Sequence, residues 1–229
     1  MIQLTNVKAC IFDAYGTLFD FGSATARCTN IPAEHRAALT ALWREKQLQY
    51  TWLRALQRRY VDFETVTRDA LDFALDSFGI ATPERRDELM AAYNALDAFP
   101  EVADVLRTIR AAGIRTAILS NGSPSMLRSA VHNAGLDGLL DAVLSVDALR
   151  TFKTDPAVYQ FALDELGLRA MDVSFQSSNG WDAYAASDFG MRVVWCNRYR
   201  QLPERLPGAP DVEVESLEAL REVLGQPTG

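Results

Sequence analysis

The chain has 229 residues and a formal net charge of −7, with 23 lysines and arginines against 30 aspartates and glutamates. With no long basic run, this balance excludes nucleic acid or an anionic membrane as the main partner, and no apolar stretch approaches membrane-spanning length. The three cysteines, Cys10, Cys28 and Cys196, form no CxxC pair and read as reduced thiols of a cytoplasmic protein.

The first element starts almost at once, which leaves no room for a signal peptide ahead of it. Lys8 to Phe12 is a mostly apolar run and predicts a buried parallel strand. Asp13 follows it and opens Asp13-Ala14-Tyr15-Gly16-Thr17-Leu18-Phe19-Asp20. Open α/β sheets place ligands at such a strand end. A carboxylate there suits a nucleophile, or it caps the turn.

A long helix is expected from about Ala33 to Arg59. Leu39, Leu42, Trp43, Tyr50 and Leu53 share one face. Arg44, Leu48 and Trp52 share another, so the helix has two buried or half-buried sides. Helices follow over about Glu64–Phe78, with Val66, Ala70, Phe73 and Ala74 inward, and over Pro83 to about Leu96. No strand separates them. Residues 20–98 therefore read as an inserted helical cap subdomain, and 1–19 with 99–229 as the core domain.

From Phe99 onward, strand and helix alternate. A helix over about Val102–Ala112 leads to the strand Thr116–Leu119, which ends in Ser120-Asn121-Gly122. Next come a helix over Pro124–Ala134, a strand over Ala142–Val146 and a helix over Ala157–Leu166. The strand Val173–Gln176, a small-residue helix over about Ala183–Phe189 and the strand Val193–Cys196 follow. A β-like segment, Val212–Val214, and a helix over Leu217–Leu224 close the series. Leu202–Pro210 and Gly225–Gly229 read as a loop and a frayed end. The expected class is α/β: a Rossmann-like doubly wound parallel sheet with the helical cap inserted.

In a parallel sheet all strand carboxyl ends share one rim. Asp13, Ser120-Asn121, Lys153 and the run Ser177-Ser178-Asn179-Gly180-Trp181-Asp182 follow strands and should meet there. Ser123 as N-cap with Pro124 at the first helical position would form an anion site, or only an ordinary strand-to-helix turn. Lys153 is a surface lysine, or it holds Asp13 ionised. Unit charges 4 Å apart interact by about 4 kcal/mol at an effective dielectric near 20. Trp181 is core or pocket wall. His35 and His132 lie outside metal-ligand spacing, so a histidine metal site or triad is not expected.

The order Asp13…Thr17, Ser120-Asn121-Gly122, Lys153 and Ser177-Ser178-Asn179-Gly180-Trp181-Asp182 resembles the haloacid dehalogenase superfamily, from residue 8 to about 217. Within it the chain is most similar to the L-2-haloacid dehalogenases. Tyr15 stands two residues after Asp13, Leu42 to Arg54 resembles that family's cap helix, and the fourth motif reads Ser-Ser-Asn-Gly-Trp-Asp. Superfamily phosphatases place a second Asp at the Tyr15 position to protonate the leaving alcohol. Halide is a weak base and needs no such proton. Phosphatases also bind Mg²⁺ through acidic residues of the fourth motif, where this chain has Asp182 alone.

The resemblance thus implies cofactor-free, metal-free hydrolysis of short L-2-haloalkanoic acids to D-2-hydroxy acids through an aspartyl ester. Asp13 would be the nucleophile, Lys153 and Thr17 its holders, and Asp182 the activator of water with Ser177 and Asn179. Tyr159 would brace Asp13 or Lys153. Ser120 and nearby backbone N–H groups, including that of Ala14, would bind the substrate carboxylate. Tyr15, Leu48 and Phe63 would line the alkyl pocket, and Arg44, Asn121 and Trp181 would cradle the halide. A small-molecule 2-haloacid would be the partner, and a homodimer the assembly. A phosphatase or phosphonate hydrolase of the same superfamily is the alternative. Glu45, Thr154 and Ala185 (after Tyr184) depart from the family's pattern. A glutamate near the pocket would favour short monocarboxylates.

Overall fold

Among the described residues six parallel strands carry the fold: β1 (Ala9–Phe12), β2 (Arg115–Ser120), β3 (Ala142–Ser145), β4 (Val173–Ser177), β5 (Arg192–Cys196) and β6 (Val212–Val214). This computed structural model describes residues 2–225, so the expected frayed end beyond Gly225 lies outside it. The strand order is β3-β2-β1-β4-β5-β6. It reverses at β1, where Phe12 pairs with Ile118 on one side and Gln176 on the other. Such a reversal opens a crevice at the strand carboxyl ends. All four residues of β1 are buried, as expected of a strand covered on both faces.

Helices α1 (Gly22–Arg27), α2 (Ala33–Leu56), α3 (Phe63–Ser77) and α4 (Pro83–Tyr93) come between β1 and α5 (Val102–Ala111). The remaining helices are α6 (Pro124–Asn133), α7 (Pro156–Leu166), α8 (Gly180–Asp188) and α9 (Leu220–Val223). Asp62 caps α3 by accepting from Thr65 N at 2.8 Å, and Thr82 caps α4 ahead of Pro83. The chain passes from sheet to helices and back along paired segments. Asp20 N donates to Asp97 O at 2.8 Å and Phe99 N to Leu18 O at 3.0 Å. Arg198 secures this crossing from the end of β5. It donates to Thr17 O at 2.9 Å, pairs with Glu101 at 2.6 Å and lies 4.0 Å above the Phe99 ring.

Several local expectations change. Helix α1 was not expected, because Gly22-Ser23-Ala24-Thr25-Ala26-Arg27 has no apolar period; Ala24 and Thr25 are buried through packing on α2 and α4. The last segment begins as a 3-10 turn, Leu217–Ala219, before α9. Helix α8 starts at Gly180, not Ala183, which puts Trp181 and Asp182 in its first turn. The buried stripe of α2 is Leu39, Trp43, Gln47 and Thr51, and Leu53 is 44% exposed. On α3, Leu71 and Leu75 are buried while Phe73 is 41% exposed, with the Lys46 ammonium 4.5 Å from its ring centre. Leu53 and Phe73 both lie roughly 100° from the centre of their buried stripes, at 3.6 residues per turn. Apolar character marked them, but the bundle turns another face inward. Among the described residues no helix is long and apolar enough to cross a membrane.

Candidate active site

The turn after β1 is built around the Ala14 carbonyl. It accepts from Thr17 N at 3.2 Å, Leu18 N at 2.9 Å and Phe19 N at 3.0 Å. Gly16 sits in that turn at φ +89°, a conformation that disfavours any side chain. The chain thereby curls back, and the Thr17 hydroxyl reaches Asp13 Oδ2 at 3.1 Å. The same hydroxyl oxygen accepts from Ser178 N at 2.8 Å, which leaves its hydrogen for Asp13.

Three donors hold the Asp13 carboxylate. Lys153 Nζ donates to Oδ1 at 3.0 Å, and Thr17 and Asn179 Nδ2 (2.7 Å) donate to Oδ2. Lys153 is not a surface lysine: it is 1% exposed and bridges to Asp182 Oδ2 at 2.7 Å. Ser177 Oγ donates to the same Asp182 oxygen at 3.1 Å. Tyr159 donates to Asp182 Oδ1 at 2.8 Å. The expected bracing of Asp13 or Lys153 by Tyr159 is therefore not its contact. Because α8 begins early, Asp182 is carried under the rim to where the Tyr159 hydroxyl can reach it.

This buried triad holds two carboxylates and one ammonium. Burial lowers the Lys153 value, but Asp13 and Asp182 outweigh it and hold Lys153 above its ordinary 10.5. Burial pushes the Asp182 carboxyl above its ordinary 3.8; the Lys153 charge opposes and the Asp13 charge adds. Burial also raises Tyr15 and Tyr159 well above 10.0, so both stay protonated donors. At an effective dielectric of 20, each Lys153–carboxylate contact is worth about 6 kcal/mol, against several kcal/mol of desolvation per ion. The triad is thus roughly neutral for stability, and its arrangement serves chemistry.

The pH dependence follows from these directions. A rate that needs Asp182 ionised falls as pH drops through its raised value, above 3.8. A rate that needs Lys153 charged falls only as pH climbs through its raised value, above 10.5. The stability that Lys153 contributes is complete below its unfolded value and is lost on that same alkaline side. A broad plateau of kcat/KM between these limits is expected in a stopped-assay pH series. A maximum confined to the histidine range would contradict the assignment.

Beside the triad, Tyr15 stacks between Phe63 (5.7 Å between ring centres) and Tyr93 (5.1 Å). Its hydroxyl is buried without a protein partner. A Cβ added at Gly122 would fall 3.0 Å from that oxygen, so Tyr15 faces the loop after β2. In this loop Gly122 N donates to Ser120 Oγ at 3.1 Å, and Ser123 caps α6 by accepting from Met126 N. Asn121 Oδ1 accepts from Lys153 N at 2.9 Å, which ties the lysine to the rim.

The second face of α2 turns toward the sheet, as expected. Arg44 Nη2 donates to Asn179 Oδ1 at 3.2 Å and contacts Tyr15 O at 3.4 Å. Trp52 meets Trp181 edge-on at 5.5 Å between ring centres. Arg44, Leu48, Asn179 and Trp181 line a cavity of about 770 Å³, together with Asp20, Phe21, Arg36, Tyr199 and Glu204. Asp13, Asn121, Ser120 and Phe63 are not on its wall. Arg44 and Trp181 thus share a cavity that Asn121 does not.

Glu45 is exposed and absent from the cavity wall, which removes the expected repulsion of a second carboxylate. One residue is roughly 100° of helix, enough to turn Glu45 away from the Arg44 face. Thr154 and Ala185 line a second cavity of about 640 Å³, with Trp52, Tyr159, Trp181 and Phe189. Among the described residues no cluster of three or more His, Cys, Asp or Glu is arranged to hold a metal ion. Sequence reasoning missed Gln47, which is fully buried and accepts from Arg44 Nη1 at 2.8 Å. The signal was faint: a polar residue, like Thr51 after it, in a stripe marked as apolar by Leu39 and Trp43.

Comparison with known proteins agrees with this geometry. Residues 7–190 match the haloacid dehalogenase-like hydrolase family. (S)-2-haloacid dehalogenase 1 of Pseudomonas sp. (strain CBS-3) is 42% identical over 220 residues, covering 95% of this chain and 96% of that protein. The crystal structure of a dehalogenase with an intermediate complex superposes at a TM-score of 0.94, with 40% identity over 99% of this chain and 100% of the other. The L-2-haloacid dehalogenase from Xanthobacter autotrophicus, solved with chloropropionic acid covalently bound, gives a TM-score of 0.90 at 37% identity over 96% and 98% of the two chains. The chain belongs to the haloacid dehalogenase-like hydrolases and, within them, to the (S)-2-haloacid dehalogenases.

Proposed function

We propose that this protein hydrolyses short L-2-haloalkanoic acids to D-2-hydroxyalkanoic acids through an ester on Asp13, with inversion at C2. The carrying observation is the setting of Asp13. It is a buried carboxylate held by Lys153, Thr17 and Asn179, with an aromatic residue rather than an acid two positions on. The covalently bound chloropropionic acid in the Xanthobacter autotrophicus relative supports a covalent route.

In the first step an Asp13 oxygen bonds to C2 from the side opposite the halogen. The carbon–halogen bond breaks, and its electron pair leaves with the halide. Arg44 and Trp181, which share the cavity, receive the halide; Asn121 lies off its wall, with its Oδ1 taken by Lys153 N. Ser120 and the Ala14 backbone N–H bind the substrate carboxylate, and Tyr15, Leu48 and Phe63 enclose the alkyl group. In the second step water attacks the ester carbonyl carbon of Asp13. Asp182 takes the water's proton, with Ser177 and Asn179 ordering the network; burial has already made it a stronger base. The ester carbonyl–oxygen bond then breaks, the departing alkoxide is protonated and Asp13 is restored. No bond at C2 changes in this step, so the inversion of the first step is kept.

Helices α1–α4, residues 20–98, act as a cap that brings Arg44 to the core and excludes water during the attack. Halide release from each enantiomer of 2-chloropropionate tests the reading. Release from the L form alone, unchanged by EDTA, is the expected result. No release from either enantiomer, with Mg²⁺-dependent turnover of phosphate esters, would move the chain to the phosphatase alternative.

A further inference from the structure

We infer that Gln47 is a positioning residue for Arg44, held in turn by Thr67 and Tyr93. The inference rests on the reading of Arg44 as the group that receives the halide. Of the side-chain contacts of Arg44, the one to Gln47 Oε1 is the shortest, at 2.8 Å; Asn179 and the Tyr15 carbonyl stand at 3.2 and 3.4 Å. The latter two are long for N–H···O bonds, so the guanidinium is gripped from the Gln47 side.

The wiring has one solution. A guanidinium only donates, so Gln47 must turn its oxygen to Arg44 and its amide nitrogen away. That nitrogen has two hydrogens and finds two acceptors, Thr67 Oγ1 at 2.7 Å and Tyr93 OH at 3.2 Å. Thr67 gives its own hydrogen to Phe63 O at 2.6 Å, which frees its lone pairs for Gln47. Gln47 and Thr67 are 0% exposed and Tyr93 is 1% exposed, so no water competes for these groups. The three residues come from α2, α3 and α4. Assembly of the three helices therefore sets the angle at which Arg44 meets the site. Tyr93 also stacks on Tyr15, which couples the same network to the wall of the alkyl pocket.

The test measures the halide burst in single turnovers of L-2-bromo- and L-2-chloropropionate, beside KM and thermal melting. Gln47→Met keeps length and bulk but returns no acceptor of comparable strength to Arg44. Its burst rate is expected to fall roughly 10- to 100-fold, as for a catalytic group displaced by a fraction of an ångström. KM should move little, and the loss should be greater for chloride, the poorer leaving group. Thr67→Val should show a smaller loss of the same kind, and Thr67→Ser should restore the rate. Added to Arg44→Lys, Gln47→Met should change the rate by less than about twofold, because it acts through a group already altered. An unchanged burst in Gln47→Met, equal losses for the two halides or full additivity with Arg44→Lys would overturn the inference. A wild-type burst in Arg44→Lys would instead overturn the reading of Arg44. If Gln47→Met fails to fold, Thr67→Val against Thr67→Ser decides the matter.

Discussion

Replacing Asp13 with alanine is expected to lower halide release by roughly 10⁴-fold or more, as loss of an attacking group does elsewhere. No neighbour can take over. Lys153 is a charged donor, Asp182 has its oxygens engaged by Lys153, Ser177 and Tyr159, and Tyr15 stays protonated. The fold should survive, because Lys153 keeps Asp182 at 2.7 Å and the buried charge falls from −1 to zero. A melting temperature at or above that of the wild type, with activity gone, would separate chemistry from folding. Activity within tenfold of the wild type would place the attacking group elsewhere. The wild-type protein offers a second check. In a single turnover in ¹⁸O-labelled water, the label should enter Asp13 and not the hydroxy acid, since the proposed route has water attack the ester carbonyl.

Lys153→Met should be the most damaging single change to stability. It leaves Asp13 and Asp182, 5% and 0% exposed, facing one another without the ammonium between them. Removing one partner of a buried ion pair costs about 3–5 kcal/mol, and here two carboxylates are stranded. For a chain of this length that is on the order of 10 °C in melting temperature. The sign of the pH dependence is diagnostic. Without Lys153 the buried Asp182 loses the charge that opposes its desolvation and binds its proton more tightly folded than unfolded, so the variant's deficit should grow as pH rises through its raised value. Adding Asp182→Asn should recover a good part of the loss. Thermal melts of the three proteins between acid and neutral pH check this. A Lys153→Met protein as stable as the wild type at neutral pH would mean the triad is open to water.

Much of this site was legible because it is built at strand ends. Asp13, Ser120, Lys153 and Ser177 follow runs whose apolar character marks them as strands, and a parallel sheet puts such ends on one rim. Arg44 was legible from the company it keeps, since Leu48 and Trp52 recur with it on one helical face. What lay beyond reach was packing direction among helices α1–α4. Leu53 and Phe73 are apolar enough for a core, but each lies off the buried stripe of its helix. Gln47 and Thr67 lie on those buried stripes instead, where composition alone would place solvent. The sequence reads Tyr159 as bracing Asp13 or Lys153, whereas its hydroxyl donates to Asp182, in the first turn of α8. A glycine and a tryptophan, Gly180 and Trp181, gave no local sign that the helix had started.

The triad of two carboxylates and one ammonium has a further consequence for the order of events. The resting protein keeps one uncompensated negative charge away from solvent. In the proposed route Asp13 becomes an ester, that charge departs with the halide, and Lys153 and Asp182 remain as a balanced pair. The free protein is then the tensioned form and the alkylated protein the relaxed one. On that route each turnover would begin by discharging a repulsion that the fold itself maintains, and each hydrolysis would restore it.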